Sequence, residues 1–308
     1  RIQNLKFYKL QKVFMEIIMK FFPLALCYVM FSLGLQSKFS EFSRIFKSPK
    51  SLFVGLFSQM IIVPLIGVVF AYFVPAPMNY KIGIVLVTCV PSAVTSSYLV
   101  KFIKGNIYLS VVMTAISSLM SFITIPLILT KVAPALGIGS ETLASVDFKR
   151  LSVFLFLMAT IPILIGSSVA SKFHQFTKKV LPFFSKSAFL IFVFFILLAI
   201  YTDWDLAIEA FGELGWMLLI LICTLLICAN IIVNLFSIKK DDSKTIINEV
   251  LFQNGAMAII IGSTIFGLGT GHLFMAAVYG LFQYKVFIAW WLINKKRTHL
   301  SQLNSMTR

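Results

Sequence analysis

Nine stretches of this 308-residue chain run for about 20 residues with almost no charge, and nothing else limits its fold so severely. They cover 17–36, 51–74, 82–103, 107–130, 150–171, 182–201, 215–236, 246–266 and 271–293. Each is long enough to carry a helix across the hydrocarbon of a bilayer. None alternates polar with apolar residues as a barrel strand does, and a helix satisfies its own backbone in lipid. The predicted fold is therefore an all-α polytopic membrane protein with nine transmembrane helices, or ten if another span precedes Arg1. Composition agrees: with 59% hydrophobic and 12% charged residues and a mean hydropathy of +0.95, a soluble globule could not hide its apolar surface.

The net charge of +16 is a matter of topology and does not point to nucleic acid, because the bases sit in short loops between the spans. The loops after spans one, three, five and seven, with the C-terminal tail, hold 16 Lys and Arg, from Lys38, Arg44 and Lys47 to Arg297 and Arg308. The opposite loops hold Lys81, Lys131, Lys149 and Arg150, and 202–214 carries Asp203, Asp205, Glu209 and Glu213 without a base. The positive-inside rule then puts the C-terminus in the cytoplasm and the N-terminus outside. Residues 1–16 read as a basic amphipathic arm at the interface, with Ile2, Leu5 and Val13 on its apolar side. Residues 17–130 read as a first repeat of four spans, 150–293 as a second, inverted repeat of five, and 294–308 as a cytoplasmic tail.

Two spans are unusually polar. Span three contains PSAVTSS at 91–97, a proline among four hydroxyl side chains, and span eight opens with EVLFQNGAM at 249–257. Both are suited to a helix broken at membrane depth. They lie five spans apart, and an odd offset inverts the second relative to the first, so the breaks would meet from opposite sides as in inverted-repeat transporters. Broken ends expose carbonyls and N–H groups, and hard cations take oxygen ligands. Glu249 offers a carboxylate, Gln59 and Gln253 offer amide oxygens, and Ser96, Ser97, Ser110 and Thr114 offer hydroxyls; Ser110 and Thr114 share a helix face. A proton relay through Glu249 is the rival use of an intramembrane acid, and hydroxyls in membrane helices often serve only their own backbone or a neighbouring helix. Lys285, central in span nine, could attract an organic anion, balance Glu249, or snorkel to the interface. Cys27, Cys89, Cys223 and Cys228 lie in apolar runs and read as small core residues. His174, His272 and His299 have no partner at a catalytic spacing, and GLGTG at 267–271 lacks the Lys-Ser/Thr of a phosphate loop. No enzyme is predicted.

Three motif regions in matching order, FSQMIIVP (57–64), VPSAVTSSYLVKFIKGNIYLSVVMT (90–114) and EVLFQNGAMA (249–258), resemble the bile acid:sodium symporter family over most of the chain. The resemblance implies a transport core, a smaller panel domain and two Na⁺ sites behind crossed broken helices. One site would use Ser96, Ser97, Ser110, Thr114 and Glu249. The second would use Gln59, Gln253 and Glu249 again, with the carbonyls of Val250 and Phe252. Asn254, Lys285 and Ser97 are the candidate substrate contacts. This chain has Ser92, Ala93 and Val94 where the family has Gly-Gly-Thr, and Ser97 where the family often has Asn.

The functional expectation is a monomeric sodium-coupled symporter in the plasma (inner) membrane, importing a bile-acid-like, pantoate-like or keto-acid anion by alternating access. A proton-coupled or uncoupled anion carrier is the alternative within transport. A ligand-binding membrane sensor is the alternative outside it.

Overall fold

The computed structural model describes residues 20–38, 49–93, 95–202, 204–267 and 271–306. The arm 1–16, Arg44, Lys47, Val94, Asp203 and Arg308 lie outside the described residues. The chain is helical, and an isolated antiparallel bridge between Ser92 and Gln253 is the extended pairing among the described residues. Its helices are α1 (Lys20–Gln36), α2 (Pro49–Phe73), α3 (Met78–Cys89), α4 (Ser96–Phe102), α5 (Ile107–Ala135) and α6 (Ser140–Ala144). They continue with α7 (Phe148–Lys172), α8 (His174–Thr202), α9 (Trp204–Leu235), α10 (Lys240–Leu251), α11 (Gly255–Phe266) and α12 (His272–Met306). Six of these, α2, α5, α7, α8, α9 and α12, are long and apolar enough to cross a membrane. Helices α1, α3 and α11 are apolar but shorter.

Three long helices widen where a proline follows. Five-residue π turns at Ser58–Ile62, Ile128–Val132 and Phe156–Thr160 each run into a helix with proline in its first two positions: Pro64, Pro134 and Pro162. A proline inside a helix removes one N–H and clashes with the preceding turn, and a π turn relieves both by making room for the ring. At the first of these turns the adjustment sets Gln59 facing inward, 3% exposed.

The helices pack continuously: α7 lies along α5, and α8 lies against α11 and α12 as well as α7. Helix α1 rests on α7 and α8: Phe22 meets Phe195 edge-on at 4.8 Å, the Tyr28 and Ser187 hydroxyls are 2.5 Å apart, and Cys27 Sγ donates to Met158 Sδ at 3.3 Å. A Cβ at Gly34 would lie 2.3 Å from Ile163 O, and one at Gly166 2.4 Å from Phe31 O, so α1 and α7 touch backbone to backbone. Most residues of α3 are buried beneath α2, α11 and α12. In α8 only 17% of the apolar window is buried, against 67% in α12, so α8 is peripheral and α12 central.

One expectation changes: the acidic stretch 202–214, read as a loop, is largely helix, because α8 ends at Thr202 and α9 begins at Trp204. From residue 294 to Met306 the chain continues α12. Of the cysteines, Cys89 is buried, whereas Cys223 is exposed and belongs to no core; all four are free.

Candidate functional site

The two polar spans are broken where the sequence places the breaks. Pro91 disfavours a helical residue before it, and Val90 is extended (φ −75°, ψ 153°) at the end of α3. Phe252 is extended after α10 (φ −96°, ψ 91°), and α11 restarts at Gly255 under a cap in which Asn254 Oδ1 accepts from Met257 N at 3.0 Å. The breaks cross antiparallel. Ala93 N donates to Phe252 O at 3.0 Å, and Asn254 N donates to Pro91 O at 2.9 Å. Backbone groups freed by breaking two helices inside an apolar interior thus satisfy each other. Gln283 of α12 seals one side, its Oε1 accepting from Gln253 N at 3.1 Å, and Tyr279 donates its hydroxyl to Leu251 O at 3.0 Å.

Glu249 lies beside this crossing with no exposed surface. One carboxylate oxygen accepts from Ser110 at 2.6 Å; the other accepts from Thr114 at 2.7 Å and from Ser92. The Ser92 and Thr114 hydroxyls are 3.0 Å apart, and Ser97 pairs with Ser110 at 2.8 Å. Ser96 is fully buried; its carbonyl accepts from Asn248 Nδ2 at 3.1 Å, and its hydroxyl has no hydrogen-bond partner among the described residues. Among the described residues no basic side chain pairs with Glu249, and the ion pair there joins Lys244 to Asp241. A buried carboxylate held only by hydroxyls has to be protonated or to share its pocket with a cation.

Gln59 and Gln253 form a second polar cluster. Gln59 Nε2 donates to Gln253 Oε1 at 2.9 Å and to Val90 O at 3.4 Å, and Gln253 Nε2 donates to Val250 O at 2.7 Å. Gln59 Oε1 is buried without a hydrogen-bond partner among the described residues, an acceptor poised for a donor or a cation. Phe252 O is engaged by the crossing. Both Glu249 oxygens bond to hydroxyls of the first cluster. The structure therefore gathers Ser96, Ser97, Ser110, Thr114 and Glu249 into one cluster and Gln59, Val250 and Gln253 into another.

Lys285 stands apart from both. It is exposed, with its Nζ 4.9 Å from the Phe282 ring centroid. The register of α12 that aims Gln283 at Gln253 turns a residue two positions on by about 200°. Of the three readings of Lys285, its exposed position suits an end that reaches toward the surface, and the α12 side chain that meets the crossing is Gln283. Ser92 was missed as well: it reads as a loss of glycine from a flexible crossing, but its hydroxyl is bonded to Glu249. The available signal was its place in the run of hydroxyls at 92–97.

On the far side of the crossing is a narrow crevice of about 40 Å³, bordered by Asn254 and Gly255, by Thr95 and Tyr98, and by Ser185 and Phe192 of α8. Asn254 Nδ2 is buried without a hydrogen-bond partner among the described residues. Small-molecule pockets enclose roughly 300–1,000 Å³. This crevice is far smaller than that.

Comparison with known proteins agrees with this architecture. A model of the Sodium Bile acid symporter family matches residues 23–210, more than half of the chain. That segment contains Gln59, Ser92, Ser96, Ser97, Ser110 and Thr114 and stops before α10. The probable sodium/metabolite cotransporter BASS2, chloroplastic, of Oryza sativa subsp. japonica is 29% identical over 160 residues, 52% of this chain and 36% of that protein. The probable sodium/metabolite cotransporter BASS1, chloroplastic, of Arabidopsis thaliana is 27% identical over 244 residues, 77% of this chain and 58% of that protein. The uncharacterized sodium-dependent transporter YocS of Bacillus subtilis (strain 168) is 31% identical over 101 residues, 33% of this chain and 32% of that protein. The chain thus spans about a third to somewhat over half of the length of these relatives.

Proposed function

The chain belongs to the sodium bile acid symporter family, a family of transporters and not of enzymes, and on that premise we propose that it is a sodium-coupled symporter importing an organic anion by alternating access. The observation that carries the proposal is Glu249: a fully buried carboxylate, ringed by the hydroxyls of Ser92, Ser110 and Thr114, at the crossing of two broken helices. Na⁺ is a hard cation that such oxygens suit, and its charge offsets the cost of an ionised acid in this interior.

Two ions are proposed. The first is held by Glu249 with Ser96, Ser97, Ser110 and Thr114, and the second by Gln59 and Gln253 with the carbonyls of Val250 and Phe252. Gln59 Oε1 is open to the second ion, whereas Gln253 Oε1, Val250 O and Phe252 O already accept hydrogen bonds and would have to share or release them. The anion is proposed to bind across the crossing, at Asn254 Nδ2 and the N-terminus of α11, whose partial positive charge suits a carboxylate or sulfate.

For topology, we propose nine crossings in this chain: α1, α2, the α3–α4 pair, α5, α7, α8, α9, the α10–α11 pair and α12. The C-terminus is assigned to the cytoplasm, and the membrane to the plasma (inner) membrane. The antiparallel meeting of the breaks supports an inverted repeat.

The decisive experiment is uptake into proteoliposomes from a panel of labelled organic acids, with Na⁺ or choline outside. Sodium coupling predicts uptake in Na⁺ alone, abolished by Glu249→Gln. Equal uptake in choline, with a pH optimum that Glu249→Gln removes, would instead establish proton coupling.

A further inference from the structure

A second cavity, of about 750 Å³, lies between the end of α4, the end of α9, the start of α10 and residues 290–295 of α12. Four lysines border it, Lys104, Lys240, Lys244 and Lys295, and two tryptophans, Trp290 and Trp291. No acidic residue is among its described lining residues. One neighbouring acid, Asp241, holds Lys244 at 3.1 Å, which leaves three of the four ammonium groups without an ion pair among the described residues. Helix α10 begins at Lys240, and its first turn already sets Asp241 and Asp242 against the positive end of its dipole, so the attraction for an anion rests on the lysines.

The walls are of two kinds. Trp291 packs on Phe102, ring centroids 5.0 Å apart, and Lys295 Nζ lies 5.2 Å from the Trp291 centroid. Leu292, Ile293 and Leu235, next in sequence to the lining residues, are exposed large apolar side chains. Tryptophans concentrate where headgroups meet hydrocarbon, and basic pockets between membrane helices take phospholipid headgroups. A soluble phosphate would be served by the lysines alone. The indoles and the apolar side chains beside the opening suit an attached acyl chain.

From this juxtaposition we infer that the crevice between α4, α9, α10 and α12 is a binding site for an anionic phospholipid, with the phosphate among Lys104, Lys240 and Lys295 and an acyl chain along Trp290 and Trp291. The site shares no residue with the proposed Na⁺ clusters and stands whether or not transport is sodium-coupled. Its occupant would splint α10, which carries Glu249, to α12, which carries Gln283. Lipid binding there should therefore stiffen the crossing without entering it.

The test uses the full chain in a neutral detergent, titrated with short-chain phosphatidylglycerol, short-chain phosphatidylcholine or glycerol phosphate while thermal unfolding and tryptophan fluorescence are followed. Phosphatidylglycerol is expected to raise the melting temperature and shift the fluorescence, and the other two are expected to do neither. The double variant Lys240→Gln/Lys295→Gln is expected to weaken phosphatidylglycerol binding by about tenfold or more, each lysine near a membrane surface contributing about 1 kcal/mol. Its melting temperature without lipid shows whether it has folded. Equal responses to phosphatidylglycerol and phosphatidylcholine would overturn the charge-selective site. An equal response to glycerol phosphate would make the ligand a soluble phosphate and overturn the lipid. If the double variant does not fold, the wild-type comparison of the three ligands still decides.

Discussion

Side-chain direction decides the site, and Glu249, Gln283 and Lys285 make separable predictions. Glu249→Gln keeps size and removes charge, so Na⁺ should no longer stabilise the protein. Wild type is expected to gain about 2.7 kcal/mol when Na⁺ exceeds its Kd a hundredfold, read as a rise in melting temperature. A variant that kept this gain would show that Glu249 holds no ion. Gln283→Leu leaves Gln253 N–H buried without its acceptor, at a cost of about 1–3 kcal/mol in thermal stability. Lys285→Met should leave Na⁺ affinity and anion affinity within twofold of wild type in binding titrations, because the ammonium is exposed over Phe282. A tenfold loss of anion affinity would restore the lysine to the substrate site. Sequence identifies Lys285 as unusual because a charge in an apolar run is visible in one dimension. Gln283 and Ser92 act through register and through the angle of the crossing, which no one-dimensional pattern records.

At the scale of the elements, a break is legible and a contact is not. Pro91 and Gly255 announce interrupted helices, and the capping of α11 by Asn254 follows from the residue type at that place. Six full-length spans also emerge directly from apolar length, close to the predicted boundaries. The closeness of α2 to α3 has no such signal. A Cβ at Gly67 would lie 1.9 Å from Thr88 Oγ1, and Thr88 also bonds to the carbonyls of Ile84 and Val85 in its own helix. Gly67→Ala should therefore force α2 off α3, with a cost of about 1–3 kcal/mol visible in thermal unfolding. Adding Thr88→Ala, which removes the clashing hydroxyl, should recover part of it. If the double variant is no more stable than Gly67→Ala, the two helices do not meet there. Asp242 is a further contact that sequence hides. It is 5% exposed and accepts from Ser51 at 2.6 Å and Asn106 at 2.8 Å, joining the starts of α2, α5 and α10.

For the whole molecule the question is direction, and charge answers it twice. The 16 bases of the tail and of the loops after spans one, three, five and seven favour retention on the cytoplasmic side, so a reporter fused after Arg308 should be cytoplasmic and one inserted at 203–213 should face outside. The reverse labelling would invert the proposed direction of transport. The proposed stoichiometry also makes the cycle electrogenic: two Na⁺ entering with one monoanion would carry one net positive charge, which an inside-negative potential favours by about 2.3 kcal/mol per 100 mV. At about 1.4 kcal/mol per decade, that raises the limiting accumulation ratio of the anion nearly fiftyfold for each 100 mV. Proteoliposomes clamped at two potassium diffusion potentials, with equal Na⁺ gradients, measure this ratio. A single coupled ion would make the cycle electroneutral and the ratio independent of potential, and the Gln59–Gln253 cluster would then be a structural joint between α2 and the crossing.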